Sequence, residues 1–554
     1  MTPDEIRKRF DTLESQRKTV EQQWQVIEKF VAPYKGKFFK TPAGETSVEW
    51  NHRDIYDATA VQSHIQLASS LHGSLTNPAI VWFEMQWRDP LLRKNHEAQK
   101  WIENATKRVF DELQDSNFNL EVNSVYRNLT SFGTAFITEE PKEDLTETWE
   151  GVQFTSIPLK EAYFEPDEHG QCYNFYRRLQ WRPSKIVDKF GIDNVPEKVK
   201  TLHEAASDQE TTVIFCVYTR PEIDDDDTNT AIMPPNKRPY GWSYIGHADG
   251  HVYATGGYYE MPAYVPRWEV TDESVWGNSP AHYALADILT LNQLVALDLK
   301  AREKVIDPAL LAQERALINT LDLSPGAVNV VRDVAQIKPF ESAARFDVVE
   351  ATIVRLQTAV QKYFYIDQLE LKESPAMTAT EVQVRYELMQ RLLSSTMSRL
   401  KEDLLDPVLQ RTFNLLFRAG ELGDPPEGVD AGEYDIEYIG PLSRSMRFDQ
   451  SASIERWITQ LQLIAQMGPE AAQVMLVPDY DAIARHAAIQ LNLPTELTRP
   501  KKEVDADIKR QKDQQNRQAS ADAAAAEAAA AKDLGQANQL AQGSQSIAPG
   551  GVMQ

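Results

Sequence analysis

The chain has 554 residues, a formal net charge of −24 at pH 7 and a pI near 4.9. This length predicts more than one domain, and the acidity argues against a protein that coats nucleic acid. The two cysteines, Cys172 and Cys216, cannot build a disulfide framework and suit a reducing compartment. No secretory signal follows Met1, and no apolar run approaches the ~20 residues that span a bilayer. We therefore expect a soluble, intracellular protein with no membrane partner.

The first 130 residues predict a helical layer. Thr2 as the N-cap, Pro3 in the first turn and Glu5 three residues after the cap mark the start of a helix. Its apolar positions run from Ile6 to Val31 and end before Pro33. Further helices are predicted over roughly 57–75, 95–114 and 119–131.

The segment from Gly133 to Tyr264 changes to alternating residues and turn signals. Short strands are predicted over 136–139, 151–157, 173–181, 211–218, 242–247 and 252–259. The last two flank Ala248-Asp249-Gly250, which is typical of a hairpin. This segment, about 133–264, is predicted to be a β-rich module inserted between helical layers.

A long helix is predicted after Pro280. It is apolar on several sides, which indicates contact with more than one neighbour. The residues assigned to this packing are Ile288, Leu291, Val295 and Leu299. The end of the helix becomes charged, with Lys300, Arg302, Glu303 and Lys304, and Asp307-Pro308 breaks it.

Two more amphipathic helices are predicted within 343–406. One face of the first helix carries Val349, Ile353, Leu356 and Val360. Thr378 and Glu381 form the capping-box pattern that starts the second helix. We expect its apolar seam to stop or kink at Asp406-Pro407, because proline disfavours helix at the preceding residue. A polar loop, 366–377, separates the two helices.

The chain lacks the common catalytic motifs. It has no G-x-x-x-x-G-K-[ST] phosphate loop, no H-E-x-x-H, no G-x-S-x-G and no cysteine pair spaced for zinc. No catalytic residue, metal ligand or cofactor can be singled out. These absences favour a structural protein over an enzyme.

The order of these parts resembles that of phage portal proteins, the head-to-tail connectors. Trp276-Gly277-Asn278-Ser279-Pro280 leads into the long helix, and a short segment, a return helix, a loop and a helix beginning at Met377-Thr378-Ala379-Thr380-Glu381 follow. Leu71-His72-Gly73-Ser74-Leu75-Thr76-Asn77-Pro78 and Ser131-Phe132-Gly133-Thr134-Ala135-Phe136 resemble the branch found in short-tailed, podovirus-type phages. The similarity extends over nearly all of residues 1–500.

The resemblance implies an α+β, predominantly α-helical portal-type fold with wing, stem, clip and crown around a central channel. The implied segments are a wing (1–278), a first stem helix (279–306), a clip (307–342), a second stem helix (343–365), a tunnel loop (366–377), a long wing and crown helix with the crown (378–500) and a tail (501–554). For the tail, a barrel helix and a disordered segment both remain open.

The family's role implies a ring, usually dodecameric, at one capsid vertex of the virion, assembled in the host cytoplasm. Double-stranded DNA would pass through the ring during packaging and ejection. The implied partners are the terminase large subunit, tail adaptor proteins, and the major capsid, scaffolding and internal core proteins. The resemblance places the channel constriction at the tunnel-loop residues Gln368, Glu370, Lys372, Glu373 and Ser374. The basic residues Lys300, Arg302 and Lys304 are candidates to face DNA.

Two other functions remain open from the sequence. Another virion structural protein, such as an internal core or scaffolding component, would explain the acidity and the alanine-rich tail but not the β-rich module. A DNA-packaging enzyme would need a phosphate loop or clustered metal-binding carboxylates. Closed rings in electron micrographs favour the portal, and an ATPase assay tests the enzyme.

Overall fold

A computed structural model of the protein describes residues 1–33, 53–142, 149–220, 233–271, 274–306, 310–312, 337–339, 346–366, 394–426, 434–438, 456–464, 466, 478, 480, 483–484, 499 and 501–543. The contacts between residues in the folded chain define two compact units. The larger unit comprises Met1–Gln86, Asn104–Pro425 and Tyr434–Ser445. The smaller unit comprises Trp87–Glu103, Pro426–Glu433 and Met446–Gln554.

The amino-terminal helices lie where the sequence predicts them. They are α1 (Pro3–Phe30), α2 (Thr59–Leu75), α3 (His96–Asp115) and α4 (Phe118–Phe132). The capping box of α1 is confirmed, because the Thr2 side chain accepts from the Glu5 N–H and the Glu5 carboxylate accepts from the Thr2 N–H at 2.8 Å. The buried apolar residues of this helix are Ile6, Phe10, Trp24 and Ile27.

Antiparallel sheets occupy the middle of the chain. The strands are β1 (Phe83–Trp87), β2 (Phe136–Pro141), β3 (Val152–Ile157), β4 (Ala162–Pro166), β5 (Cys172–Trp181), β6 (Thr211–Thr219), β7 (Tyr240–Gly246), β8 (Val252–Tyr258) and β9 (Ala263–Tyr264). Strands β4 to β8 form a five-stranded sheet in chain order, and β2 pairs with both β3 and β9. Six strands, β2, β3 and β5 to β8, lie where the alternating pattern predicts them.

The sequence prediction missed β4 and two short helices, α5 (Pro183–Phe190) and α6 (Glu197–Glu204). The first four residues of β4 are all buried. A strand that is buried on both faces does not alternate between polar and apolar residues, so its period-2 signal disappears.

Helix α1 covers one face of the five-stranded sheet. Phe10 packs edge-to-face on Tyr163, with ring centroids 4.8 Å apart. The side chain of Arg17 is fully buried and donates to the carbonyl oxygens of Leu159 and Ala162 at 2.7 and 2.6 Å. Its guanidinium carbon lies 3.6 Å from the Tyr163 ring centroid. Because each of these groups is buried, the contacts fix the position of the helix on the sheet.

The edge of β3 is closed by side chains from the helices beside it. The Val152 N–H donates to Glu112 of α3 at 3.1 Å. The Phe154 N–H donates to Asn117, which precedes α4, at 2.8 Å. The Ser156 N–H donates to Glu121 of α4 at 2.8 Å. These bonds satisfy an edge that would otherwise carry unpaired donors.

Two long helices follow the sheets. They are α7 (Pro280–Ile306) and α8 (Phe346–Tyr363), and both lie where the sequence predicts helix. Between them, β10 (Leu310–Ala312) and β11 (Ile337–Pro339) form an antiparallel pair. Residues 327–331, for which the sequence also predicts a short strand, lie outside the described residues.

Of the two outcomes expected at Asp406-Pro407, a stop or a kink, the structure excludes the stop. Residues 394–400 are helical, Lys401–Leu405 form a π-helical turn, and α9 (Asp406–Arg418) follows directly. The Asp406 N–H donates to the Lys401 carbonyl, five residues earlier. Proline crowds the carbonyl four residues before it, and the wider turn relieves that clash, so the helical path continues through Pro407. The capping box at Thr378 lies outside the described residues.

Two further elements are β12 (Tyr434–Tyr438), which pairs with β1, and α10 (Lys501–Gly543) in the smaller unit. Residues 501–543 of the tail are helical. Helices and antiparallel sheets both build the protein, in agreement with the predicted α+β class. In the described ranges, no helix combines the length and apolar character that crossing a membrane requires.

Candidate functional site

Two glycines meet where the chain enters α7. A Cβ on Gly133 would stand 2.2 Å from the Gly277 carbonyl oxygen, and a Cβ on Gly277 would stand 2.2 Å from that of Gly133. Gly133 ends α4 in the left-handed conformation, with φ +76°. The Gly277 N–H donates to Thr134 Oγ1 at 2.8 Å. Two of the motifs that carry the resemblance therefore pack directly on each other.

Ser279 and His282 complete this junction. The Ser279 hydroxyl donates to the Ser131 carbonyl oxygen at 2.6 Å, and the Ser279 N–H donates to His282 Nδ1 at 3.1 Å. Burial lowers the pKa of His282 to about 4, so its ring is neutral at pH 7 and can accept that bond. The first turn of α7 is thus fixed to the end of α4.

The first half of α7 is a packed element. Ala281, Ala284, Ile288 and Leu291 are buried at helical spacing, and the helix contacts α1, α2, α4 and α8. The helix therefore meets more than one neighbour, as its sequence predicts, although its buried residues lie on one side.

Polar side chains on α7 and α8 hold the segment before α2. Asn292 Oδ1 accepts from the N–H groups of Tyr56 and Asp57 at 2.8 and 3.3 Å, and Asn292 Nδ2 donates to the Asp54 carbonyl at 2.9 Å. Gln357 Nε2 of α8 donates to Asp57 Oδ2 at 2.8 Å. Both helices are therefore tied to the amino-terminal layer at the same place.

Several apolar side chains of the two helices are nevertheless exposed in the single chain. Leu297 and Leu299 are 55% and 50% exposed, Ile306 is 83% exposed, and Val348 and Val354 of α8 are 52% and 55% exposed. We call these five residues the open apolar face. Leu297 and Leu299 lie two positions apart and point to different sides of α7, so the exposure is not confined to one side of that helix. Long helices with exposed apolar side chains on more than one side are suited to contact a neighbouring protein.

The comparisons with known proteins agree with this arrangement. The sequence profile of the family described as "Bacteriophage head to tail connecting protein" matches residues 3–498. The chain belongs to this family. It is 26% identical to the "Probable portal protein" of Bordetella phage BPP-1 over 518 residues, which cover 92% of this chain and 90% of that protein. It is 22% identical to the "Portal protein" of Salmonella phage epsilon15 over 479 residues, which cover 84% of each.

The packing residues predicted for this connector-family chain differ in burial. Ile288 and Leu291 of α7 and Val360 of α8 are buried. The half-buried members of the predicted set are Val295, Val349, Ile353 and Leu356. Leu299 belongs to the open apolar face. The structure therefore divides one predicted apolar set into a part that packs within the subunit and a part that remains uncovered in it.

The three basic candidates at the end of α7 are exposed. Arg302 donates from Nε to Asp298 Oδ2 at 2.6 Å, and its guanidinium carbon lies 5.1 Å from the Phe346 ring centroid. Arg302 thus joins α7 to α8, a role that the sequence does not indicate. Lys300 and Lys304 are exposed in the same turns. The predicted tunnel-loop residues, Gln368 to Ser374, lie outside the described residues.

A buried polar network behind α9 is a further feature that sequence reasoning missed. Glu139 of β2 accepts from Tyr264 Oη at 2.6 Å and from Thr412 Oγ1 at 2.8 Å. Burial raises the pKa of Glu139 to about 7, although Arg411 and the two hydroxyl donors oppose that shift. Glu260 pairs with both Arg411 and Arg418. No local pattern predicts such a network, because its members come from β2, the segment between β8 and β9, β9 and α9.

Proposed function

We propose that this chain is a portal protein that forms a ring at one capsid vertex. The observation that carries this proposal is the open apolar face, which lies on two long helices that also carry buried residues. A single subunit leaves that face in water, whereas a neighbour in a closed ring would cover it. Family membership supports the same function, because both relatives named above are portal proteins.

The segments of the chain then take the family's roles. Helices α7 and α8 form the stem, 307–342 the clip, 366–377 the tunnel loop and 378–500 the long helix and crown. The first 278 residues form the wing. The ring, which we take to be dodecameric, lies in the virion and conducts double-stranded DNA in both directions. The large terminase subunit, tail adaptors, and the capsid, scaffolding and core proteins are its partners, and its role is structural rather than enzymatic.

The composition of the chain suits a DNA channel. Each cation that contacts a phosphate adds affinity through counterion release, and strong binding would slow translocation. The protein has 82 acidic and 58 basic residues. Of the three basic residues at the end of α7, Arg302 is already paired with Asp298. A channel with few available cations lets DNA pass without holding it.

Ring assembly tests the proposal. We expect the purified protein to form closed rings without nucleotide, visible in negative-stain micrographs and by sedimentation velocity. The double variant Leu297→Glu/Leu299→Glu should stay folded but fail to form rings, since both side chains are exposed in the subunit and the charges would lie at the subunit contact.

Leu120→Glu is the matched control, because it makes the same change at an exposed leucine of α4, outside the two long helices. It should form rings as the unmodified protein does. Rings of normal abundance from the Leu297/Leu299 variant would show that the open apolar face is not the subunit interface. Assemblies without a central hole would favour another virion structural protein.

The tunnel loop gives a second test of the channel. Its residues Asp367, Glu370 and Glu373 outweigh Lys372, so the loop is net acidic and should repel DNA on average. Shortening the loop should leave rings intact and reduce the amount of DNA that particles package or retain. Lys372→Ala should have a smaller effect, because one screened cation contributes little. Particles with a shortened loop that hold full-length DNA would contradict the assignment.

A further inference from the structure

A cavity of about 240 Å³ lies on the face of the five-stranded sheet opposite α1. Arg177, Phe215 and Tyr244 line it from neighbouring positions of β5, β6 and β7. Thr138 and Glu140 of β2 and Thr155 and Ile157 of β3 cover it from the second sheet, and Lys185 and Lys189 of α5 close one side. A cavity between two sheets and a helix has fixed walls on three sides, which is typical of ligand sites.

The charges around this cavity are unbalanced. Arg177 donates to Glu161 from two nitrogens, at 3.2 and 3.1 Å. Neither Lys185 nor Lys189 forms an ion pair with a carboxylate in the described part of the chain. Instead, Lys185 Nζ lies 4.7 Å from the Trp181 ring centroid, and Lys189 Nζ lies 4.4 Å from that of Tyr244. Two lysines therefore lie side by side over aromatic rings in a chain whose net charge is −24.

Lys189 lies close to other positive charges and has no carboxylate partner among the described residues. Its Nζ donates to Tyr244 Oη at 3.1 Å. Burial lowers the pKa of Lys189, the neighbouring cations Lys185 and Arg177 lower it further, and Glu140 opposes them. An anion bound between the lysines would relieve this repulsion.

We propose that this cavity binds an acidic peptide segment of a partner protein, with carboxylates on Lys185 and Lys189 and an apolar side chain on the floor. The floor consists of Ile157, Leu179 and Phe215, which are buried and apolar. A cavity with an apolar floor and cations at its rim fits a chain that places carboxylates next to apolar side chains.

The same geometry disfavours nucleic acid. Base recognition in single strands needs free aromatic faces, and here lysines already cover those of Trp181 and Tyr244. A duplex backbone needs a row of available cations, whereas Arg182 near the cavity is paired with Asp208. The site is therefore suited to one short acidic segment.

Peptide binding to the purified full-length protein tests the proposal. The probe is a fluorescent decapeptide of alternating glutamate and leucine, followed by anisotropy at low salt. We expect saturable binding that weakens by at least about tenfold in Lys185→Glu/Lys189→Glu, because each reversal replaces attraction with repulsion. Lys198→Glu, an exposed position on α6 with the same change of charge, should bind within about twofold of the unmodified protein.

A second variant separates recognition from folding. Glu140 lines the cavity, and Tyr258 Oη donates to it at 3.4 Å. Glu140→Gln keeps an acceptor for that bond and removes the one carboxylate among the described lining residues, so it should tighten peptide binding several-fold. Weaker binding by this variant would contradict the proposal.

Competition identifies the class of ligand. The unlabelled peptide should displace the probe, whereas a peptide with glutamine in place of glutamate, inorganic phosphate and a 20-base-pair duplex should not at matched concentration. Displacement by phosphate or by the duplex would overturn the assignment to an acidic peptide, and so would equal binding by the double lysine variant. None of these outcomes depends on whether the protein forms rings, so failure here is distinct from failure of the portal assignment.

Discussion

At the scale of single residues, Glu139 shows how burial sets the protonation of a carboxyl group. It is completely buried, and its pKa rises from an ordinary value of 4.5 to about 7. Burial is the largest cause of this rise in pKa. The attraction of Arg411 and the hydrogen bonds from Tyr264 and Thr412 lower the pKa and so make the rise smaller. Arg411 is itself paired with Glu260, which limits the help it gives to Glu139.

This shift predicts a pH dependence of stability. Between pH 4.5 and 7 the folded protein binds a proton at Glu139 that the unfolded chain has released, so stability falls as pH rises through this window. The raised pKa of Glu139 contributes on the order of 3 kcal/mol to the free energy of unfolding, and this contribution is fully present below pH 4.5 and lost above pH 7. Glu139→Gln should remove this contribution. Melting temperatures of the two proteins at a series of pH values should therefore diverge toward higher pH, with the variant the more stable.

Glu150→Gln serves as the comparison, because Glu150 is an exposed carboxylate close by in sequence. Its profile should parallel that of the unmodified protein. If the melting profile of Glu139→Gln also parallels that of the unmodified protein, then Glu139 is ionised in the folded protein at low pH. In that case its burial causes no loss of stability as pH rises.

At the scale of elements, the start of α7 depends on the crossing of Gly133 and Gly277. Gly133 needs both the left-handed backbone and the absence of a side chain, since its Cβ would overlap the Gly277 backbone. The helix that follows carries both the packed residues and part of the open apolar face. A substitution that disturbs the crossing of Gly133 and Gly277 would therefore displace α7.

Gly133→Ala should destabilise the protein by at least about 2 kcal/mol, from left-handed strain and the backbone clash together. Gly73→Ala is the matched control, because Gly73 lies inside α2 and its Cβ would meet no atom within 4 Å. That change should stabilise the helix by roughly 0.5–1 kcal/mol. Denaturation midpoints of both variants measure the contrast, and equal midpoints would mean that the crossing tolerates a methyl group.

At the scale of the whole molecule, the carboxyl-terminal helix α10 is set apart by its surface. From residue 511 to 532, every side chain that the structure describes is exposed. The alanine-rich run carries no apolar seam that a neighbour could cover. Assembly should therefore depend on other parts of the protein.

Deletion of residues 521–554 should leave ring formation intact. Negative-stain images and sedimentation of the truncated protein, beside those of the Leu297→Glu/Leu299→Glu variant, measure this directly. Loss of rings on truncation would show that the helix contributes to the subunit contact.

The sequence alone determined the features that depend on neighbouring residues. The capping box at Thr2, the six alternating strands and the long helix after Pro280 follow from contacts within a few residues, and the local pattern therefore predicts them. The order of these elements also carries the family resemblance. A strand without alternation, such as β4, leaves no local signal and was missed.

Only the tertiary structure decided how distant residues meet. Ile288 and Leu299 belong to one apolar pattern on one helix, yet the first is buried and the second is half exposed. Periodicity gives the face on which a residue lies, whereas burial depends on whether another element covers that face. For the same reason, the Glu139 network and the cavity beside Lys185 and Lys189 could not be predicted, since their residues come from elements that only folding brings together.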